Sequence, residues 1–423
     1  MPSVITTQLP PGANPEDYGE LRFSVTDAVN NRPVADADIR ISAIDTPETT
    51  LYSLTTNAQG ISDTVSLEAP PVNLSLEPGS IQPYSEYIFT IRADGYEPVV
   101  INGAEILSTV TALQSVQLLP SVAAPDSSEL FVIPPHTLYG DYPPPILESE
   151  TKPVDESGEI VLESVVIPEY IIVHDGPPNS DAENYYVPYR DYIKNVASRE
   201  IYATWPESAI YANILAIQSF TLNRIYTEWY PSKGYNFTIT SSTAYDHKWI
   251  PGRNIFDTIS LAVDRIFTNY LSRPGIRQPI LTQYCDGKRV TCPDVMSQWG
   301  SKDLGEQGYS AIEILRYYYG DNLYINTSSI VSGVPYSWPG YTLSQGSSGA
   351  PVRTIQEQLN AISNAYPLIP KLAVDGVFGP LTAESVRTFQ SIFDLPQTGT
   401  VDAASWYKIS RIYVAVTRIA EYV

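Results

Sequence analysis

The sequence predicts a multidomain α+β protein, an interpretation that rests on its length and on two hydrophobic patterns in separate parts of the chain. At 423 residues the chain exceeds what one hydrophobic core usually organises, so two to four domains are expected. Short alternating apolar segments fill the first third, whereas apolar residues recur at helical spacing further on. We therefore predict an N-terminal antiparallel β-sandwich, a central mixed domain with long buried helices, and a small C-terminal module of three helices.

Residues 18–120 are predicted to form the β-sandwich, after an N-terminal arm at 1–17. Turn sequences at 57–60 and 94–95 separate segments that alternate apolar and polar residues. Seven strands are expected, at 20–26, 37–44, 51–56, 61–67, 87–92, 98–102 and 113–119. A resemblance to the carboxypeptidase regulatory-like (transthyretin-like) family rests on RADGYEPVVINGAEI and, upstream, TTNAQG. Members of that family are mostly spacers or adhesive modules, and no chemistry is expected from this domain.

Residues 121–160 are predicted to be a linker, because they are rich in proline and in acidic residues. Proline lacks a backbone donor and interrupts helices and central strands. Phe131, Tyr139 and Tyr142 would be exposed on a free tether. We therefore expect the linker to pack on a neighbouring domain. Further strands are expected at 159–166 and 169–174.

The central domain, 161–327, is predicted to contain a long helix that opens at Thr204. Thr204 and Glu207 have the spacing of a capping box, and Pro206 falls inside the first turn. Two adjoining apolar stripes follow, so this helix is expected to be buried on most sides. Two more helices are expected at about 255–271 and 308–319.

Two sequence blocks in this domain resemble the stage II sporulation protein D family. The first is YIKNVASREIYATWPESAIYANILAIQSFT, at 192–221, which is similar to the family's Tyr-Leu-x-x-Val-x-x-Ser-Glu stretch, aromatic-Pro helix start and small-residue helix. The second begins with SQWG at 297–300 and ends with YYYG at 317–320. Together they bracket residues 165–325 in the family's order. The domain order as a whole resembles clostridial peptidoglycan-binding proteins of the Firmicutes.

The sporulation-family resemblance implies lytic transglycosylase activity, which cleaves the bond between N-acetylmuramic acid and N-acetylglucosamine and leaves a 1,6-anhydro end. One carboxyl group suffices, because it can protonate the leaving oxygen and then take the proton of the sugar's own 6-hydroxyl. The resemblance assigns this role to Glu200, five residues before Trp205, and a raised pKa would suit it. The residues implied to bind the glycan are Ser297, Gln298, Trp299, Tyr309 and Gln218.

The chain departs from the family at two points. The family's Glu-Met-Pro is here Glu200-Ile201-Tyr202, and Gln218 stands where an Arg is common. Arg199 would lower the pKa of Glu200 if it faced the same way. An alternative therefore stays open, in which Glu200 is an exposed acid near a helix start without a catalytic role.

The two cysteines, Cys285 and Cys292, lie where the family has a Ser/Gly-rich loop. A hairpin disulfide, a pair of free thiols and part of a zinc site all fit their spacing. The nearest further ligands would be His247 and Asp246. We favour a disulfide or a free pair, and we predict no metal and no other cofactor.

Residues 341–411 resemble the peptidoglycan-binding domain 1 family, between a linker at 328–340 and a tail at 412–423. The matching positions are Gly346, Gly349, Val352, Gln356, Leu359, Asp375, Gly376, Phe378, Gly379, Thr382, Val386, Phe389, Gln390, Leu395, Gly399 and Trp406. Asp375 and Gly376 are expected to build a tight turn, and Phe378 to close the core. Most of this motif is structural, so the ligand is implied by the resemblance.

The net charge of −22 is expected to exclude nucleic acids and anionic lipid surfaces as partners. No apolar run is long enough for a membrane span, and residues 1–20 lack the basic and apolar regions of a signal peptide. We therefore expect a protein made in the cytoplasm that reaches the bacterial cell wall, a spore or an extracellular assembly by another route. Its predicted partner is the peptidoglycan glycan strand, with a homo-oligomer or polymer also open.

Two functions remain at this point. The chain is either a peptidoglycan-binding lytic transglycosylase or a non-catalytic structural subunit. The second would belong to a self-assembling cell-wall, spore-layer, filament or injection-apparatus structure built on the same domains. The Pro-rich segment with its aromatic residues and the low charged fraction of 17% favour the structural alternative.

Overall fold

The computed structural model describes residue 14 and residues 17–121, 128–152 and 164–418. Strands fill the first part of the chain, helices and short strands mix in the central part, and three helices follow at the end, which confirms the multidomain α+β class. Most of the predicted N-terminal arm and part of the predicted strand at 159–166 lie outside the described residues. No helix in the described ranges combines the length and the apolar character that crossing a bilayer requires.

The N-terminal domain is a sandwich of two sheets whose strands alternate buried and exposed residues. Its strands are β1 (Tyr18–Asp27), β2 (Asp38–Ala43), β3 (Thr50–Thr55), β4 (Val65–Glu68), β5 (Ser85–Arg92), β6 (Val99–Ile106), β7 (Thr111–Leu118) and β8 (Glu129–Val132). One sheet has the order β3-β2-β5-β6-β8 and the other contains β7-β1-β4. All seven strands predicted for this domain are present, near their expected positions.

The sequence predicted a fully antiparallel sandwich, and this prediction was wrong for two strand pairs. β1 pairs in parallel with β7, and β6 pairs in parallel with β8. Parallel neighbours need a long connection, and β1 and β7 are separated by most of the domain. Period-two patterning identifies strands but does not report the direction of their neighbours.

The central domain packs five helices among short strands. The helices are α1 (Tyr189–Glu200), α2 (Glu207–Tyr226), α3 (Asp257–Ile266), α4 (Gln298–Glu306) and α5 (Ala311–Tyr319). The strands are β9 (Val166–Ile167), β10 (Tyr170–His174), β11 (Asn184–Pro188), β12 (Ile239–Thr240), β13 (Ile255–Phe256), β14 (Asn269–Ser272), β15 (Tyr284–Cys285), β16 (Met296–Ser297), β17 (Tyr324–Thr327) and β18 (Ile330–Val331). Helix α2 lies at the centre and contacts each of the other four helices and β14.

Two helix predictions in this domain were wrong in detail. α2 begins at Glu207 with Pro206 as its N-cap, so Glu207 is the first helical residue and the capping box with Thr204 does not form. The Thr204 hydroxyl instead shares a hydrogen bond of 2.7 Å with the hydroxyl of Ser75. The segment predicted as one helix at 255–271 is β13, α3 and β14, because its two ends pair with β7 and β17.

The sandwich is docked on the central domain by shared structure. β13 extends the sheet β7-β1-β4, and the indole of Trp205 donates to the Ser75 carbonyl at 3.0 Å. Glu105, buried on β6, accepts a hydrogen bond from Arg253 at 2.9 Å, and its carbonyl accepts one from Asn254 at 2.8 Å. These contacts join the sandwich to the central domain beside β6.

The C-terminal module has the three predicted helices, α6 (Ala350–Ile362), α7 (Pro380–Ile392) and α8 (Ala403–Thr417). Gln356 and Gln390 are buried, and their side-chain carbonyls accept from the N–H groups of Gly376 and Gly399 at 2.8 and 2.9 Å. The motif therefore stabilises turns, as expected. α8 continues to Thr417, so the predicted tail from 412 is helical as far as that residue.

Candidate functional site

Glu200 lies at the C-terminal end of α1, where Ile201 turns the chain to an extended conformation. Its side chain is buried, with 5% of the residue exposed. The carboxyl oxygens accept from Gln298 Nε2 at 3.2 Å and from the Lys248 N–H at 3.4 Å. Gln298 is the first residue of α4 and also donates to the Glu200 carbonyl at 2.7 Å. The fold thus brings one residue of the block at 192–221 into contact with one residue of the block at 297–320.

Burial raises the pKa of Glu200 above its ordinary value. Hydrogen bonds from Gln298, Lys248 and Thr137, and the charge of Arg199, oppose this shift only in part. The guanidinium of Arg199 turns toward the carbonyls of Pro134 and Pro135, and its charge lowers the pKa of Glu200 less than the hydrogen bonds from Gln298 and Lys248 do. The carboxyl group is therefore protonated at a higher pH than an exposed glutamate, which is the property a general acid requires.

Aromatic side chains form one wall of the cleft that contains Glu200. Phe220, His247 and Tyr284 line it, and the rings of His247 and Tyr284 stack at 5.7 Å. His247 Nδ1 lies 3.2 Å from the Tyr192 hydroxyl, and burial lowers the pKa of His247 to about 3. His247 is thus a neutral ring of the wall.

Besides Glu200, three acidic residues line the cleft, Asp141, Asp246 and Asp286, and the last two are occupied by structural partners. Asp246 accepts from Arg224 at 2.7 Å and from the hydroxyls of Tyr230 and Thr240 at 2.6 Å each. Asp286 accepts from several backbone N–H groups of its own loop and from Arg289. Burial would raise the pKa of Asp286, but these hydrogen bonds lower it overall.

Residues 134–152, named the strap here, run across the mouth of this cleft. Arg289 donates to the carbonyls of Thr137 and Tyr139 at 2.6 Å each, and Tyr142 contacts Arg199. The prolines at 143–145 line the opening. The space left in the cleft is about 140 Å³, which is below the roughly 300–1,000 Å³ of ordinary ligand pockets. A sugar chain can reach Glu200 only if the strap moves.

The second half of the strap is fixed by buried polar contacts. Glu148 accepts from Arg224 at 2.6 Å and pairs with Lys152 at 2.6 Å. Glu150 pairs with Arg273 at 2.5 Å. The N–H of Ile146 donates to the Ala244 carbonyl at 2.8 Å. Residues 134–152 of the predicted linker therefore pack on the central domain, as its aromatic content suggested. The linker prediction was wrong at 129–132, which form β8 at the edge of the sandwich, where a strand needs only one neighbour.

The other residues predicted to bind a glycan lie elsewhere. Gln218 is fully buried and donates to the carbonyls of Ile266 and Asn269 at 2.8 Å each, which joins α2 to the α3–β14 connection. Ser297 caps α4 by accepting from the Gly300 N–H at 2.9 Å.

Trp299 and Tyr309 are also outside the cleft. Trp299 is buried against Trp205, with their ring centres 5.0 Å apart. Tyr309 is exposed in the connection between α4 and α5. Of the five residues proposed as glycan contacts, Gln298 is the one placed beside Glu200.

Cys285 and Cys292 form a disulfide, with their Cα atoms 5.7 Å apart. It closes the loop that carries Asp286 and Arg289 and so supports the contact between this loop and the strap. Within the described ranges, His, Cys, Asp and Glu side chains form no group of three that could hold a metal ion.

The strap and the loop after β12 bring further residues to the cleft that the sequence did not predict. Thr137 and Tyr142 come from the strap, and Lys248 comes from the loop. The proline run at 143–145 and its neighbouring aromatic residues were a signal for packing, but they did not indicate which surface is covered.

Comparison with known proteins identifies the C-terminal module. Residues 348–409 match the family model described as a peptidoglycan binding domain. The chain is 41% identical over 78 residues to the zinc D-Ala-D-Ala carboxypeptidase of Streptomyces albus G, which covers 18% of this chain and 29% of that protein. The chain thus spans less than a third of this relative's length.

Solved structures with similar parts include the N-terminal domain of SleB and the TIE protein of Bacillus anthracis. The SleB domain is 29% identical, covers 18% of this chain and 97% of its own, and has a TM-score of 0.16. The TIE protein is 16% identical, covers 25% and 17%, and has a TM-score of 0.18.

The C-terminal module is therefore a peptidoglycan-binding domain, as its motif predicted. This confirms the C-terminal part of the sequence interpretation and supports association with the cell wall. The resemblances to the stage II sporulation protein D family and to transthyretin-like domains stay predictions.

Proposed function

We propose that the chain binds peptidoglycan and cleaves its glycan strands as a lytic transglycosylase, with Glu200 as the catalytic residue. The observation that carries this proposal is the Glu200 carboxyl group, buried in a cleft and hydrogen-bonded to Gln298. Its raised pKa suits a general acid, and the C-terminal module supplies a means of holding the wall.

In the proposed reaction, protonated Glu200 gives its proton to the glycosidic oxygen as the bond from that oxygen to C1 breaks. The resulting carboxylate is stabilised by Gln298 Nε2 and the Lys248 N–H. It then takes the proton of the 6-hydroxyl of the same sugar, whose oxygen bonds to C1. Glu200 ends protonated, and no water is consumed. This route fits a cleft in which Asp246 and Asp286 are already engaged by Arg224 and Arg289.

The alternative is a non-catalytic structural subunit, and the strap favours it. The strap fills the mouth of the Glu200 cleft and is anchored by Arg289 and Arg224. If it never moves, the domain is a scaffold that presents the C-terminal module to the wall. Assembly into a polymer, seen by electron microscopy of the purified chain, would support this alternative.

The test is to incubate the purified chain with sacculi and to search for 1,6-anhydro ends by mass spectrometry. Four variants are compared with the unmodified chain. Glu200→Gln removes the proposed acid, and Glu207→Gln is a matched control on an exposed glutamate of α2. Arg289→Ala removes hydrogen bonds that hold the strap, and Arg289→Ala/Glu200→Gln combines the two changes.

We expect Arg289→Ala to release anhydro ends at least as fast as the unmodified chain. Glu200→Gln should lose roughly a hundredfold or more of the activity, the usual contribution of a general acid. Release by neither the unmodified chain nor Arg289→Ala would refute the enzyme proposal for these substrates. Equal release with and without Glu200 would refute its role.

A further inference from the structure

A second cavity lies where the sandwich, the central domain and α8 meet, and it measures about 820 Å³. This volume is within the range of ordinary ligand pockets. The chain carries 47 Asp and Glu against 25 Lys and Arg. Among the described residues, seven of these cations line the cavity but three of the acids do. In the described lining of this cavity the charge balance of the protein is therefore reversed.

Four of the cations form a cluster contributed by two helices, and we call Arg190, Lys194, Lys408 and Arg411 the cation cluster. Arg190 and Lys194 are four residues apart on α1, and Lys408 and Arg411 are three apart on α8. Each spacing places both side chains on one helix face. The two faces are joined by an ion pair of Arg411 with Asp191.

Two carboxylates accompany these four cations. Asp264, on α3, accepts from Lys194 at 2.7 Å and from Arg190 Nη1 at 3.1 Å. Asp191 accepts a hydrogen bond from Arg411. The amino group of Lys408 forms no hydrogen bond or ion pair with the part of the chain that the structure describes. When Lys408 is protonated, the four cations therefore exceed the two carboxylates by two charges.

Arg190 gives a second and independent indication that a group is missing. The residue is 6% exposed, yet its Nη2 has no hydrogen-bond partner in the described structure. Leaving a buried charged donor unpaired costs folding free energy, so such donors are normally satisfied. The Arg190 guanidinium lies over the ring of Phe267, at 4.6 Å from the ring centre, so this N–H becomes available to a carboxylate beside Lys408 when the side chain shifts toward the cavity.

The charge state of Lys408 fits an empty anion site. Burial, and then the neighbouring Lys194, lower the pKa of Lys408 to about 7, although Asp264 opposes the shift. Arg190 and Arg411 face it as well and lower its pKa further. An anion bound beside Lys408 would restore its charge, so binding near neutral pH should be accompanied by proton uptake.

We propose that this cavity binds the free carboxylates of peptidoglycan stem peptides, with Arg190 and Lys408 as the donors. The position supports this ligand, because the cavity is bounded by α8 of the peptidoglycan-binding module and by α1, which carries Glu200 at its end. Stem peptides branch from the glycan that both parts would contact. The proposal goes beyond glycan cleavage and rests on peptidoglycan as the partner, not on catalysis.

The experiment is calorimetric titration of the 423-residue Glu200→Gln chain, in which the proposed catalytic carboxyl group is removed. The probes are a synthetic stem peptide with free carboxylates, the same peptide fully amidated, and an oligomer of glycerol phosphate. Two buffers of different ionisation enthalpy at pH 7.5 report proton uptake. Lys408→Met is compared with Lys371→Met, a control on an exposed lysine of the same module that lies outside the cavity.

We expect the carboxylate peptide to bind at least tenfold more tightly than its amide, with proton uptake. Lys408→Met should weaken binding roughly tenfold or more and abolish that uptake, whereas Lys371→Met should change neither. Equal affinity for acid and amide would overturn the proposal, and this comparison needs no substitution in the cluster. Unchanged binding by folded Lys408→Met, or preference for glycerol phosphate, would also overturn it.

Discussion

Arg224 is one of the two arginines that hold the strap closed, together with Arg289. Its guanidinium is buried and donates to Asp246 at 2.7 Å and to Glu148 at 2.6 Å. Replacing it by Met leaves Asp246 without its cation, whereas Glu148 keeps its ion pair with Lys152. Asp246 keeps its bonds from Tyr230 and Thr240 but is fully buried, so most of the cost arises there. Removing one partner of a buried pair costs about 3–5 kcal/mol.

The assay is native-state hydrogen exchange at the Ile146 N–H, which bonds across the strap boundary to Ala244. Only the contact of Arg224 with Glu148 crosses the strap boundary, so Arg224→Met should lower the free energy of strap opening by about 1.5–3 kcal/mol, the usual contribution of a hydrogen bond to a charged group. Exchange should therefore be roughly ten- to a hundredfold faster. The matched control is Arg265→Met, which breaks an exposed pair with Glu207 and should cost about 0.2–1 kcal/mol. Equal effects of the two substitutions would refute the assignment of Arg224 as the strap's anchor.

Three further predictions concern the cleft itself. Gln298→Leu removes a hydrogen bond that holds down the pKa of Glu200, so the basic limb of the pH–rate profile should move to higher pH, and the exposed control Gln307→Leu should not move it. Glu200→Gln should raise thermal stability at neutral pH, because burial raises the pKa of Glu200 in the folded state and ionised Glu200 therefore destabilises the fold once the pH exceeds the pKa of the unfolded state. The gain in stability should vanish below the pKa of the unfolded state, and a gain that persists there would contradict this explanation. Replacing Cys285 and Cys292 together by Ser should cost about 2 kcal/mol in denaturant unfolding, and no change would mean that the disulfide does not constrain the chain.

The sandwich was predictable from the sequence because its strands are half-buried and alternate. Leu21, Phe23 and Val25 on β1 illustrate this, since each points into the core with polar residues between them. The direction of strand pairing was not predictable, because it depends on neighbours that are distant along the chain. α2 was also found, since two apolar stripes mark a helix buried on most sides.

α1 shows why other parts could not be predicted. Arg190, Lys194 and Arg199 are buried on this helix, so its polar residues do not mark a solvent-exposed face. Their partners, such as Asp264, lie more than sixty residues away in sequence. Charge pairs of this kind are visible only after the chain has folded. The same holds for the strap, whose contact between Tyr139 and Arg289 spans 150 positions.

The candidate site was predicted only in part for a related reason. The proximity of Glu200 and Gln298 followed from a resemblance of two sequence blocks, which placed both in one cleft. That resemblance did not report that Gln218 would join α2 to its neighbours. Family motifs mix structural and catalytic positions, and burial distinguishes the two.

The central claim is that Glu200 serves as both acid and base without a water nucleophile, and isotope labelling tests it most directly. Sacculi are digested by the Arg289→Ala chain in water labelled with oxygen-18, and the new glycan ends are weighed by mass spectrometry. If Glu200 acts alone as acid and base, the new ends are 1,6-anhydro ends that contain no label. Reducing ends that carry one labelled oxygen would show hydrolysis and would contradict it.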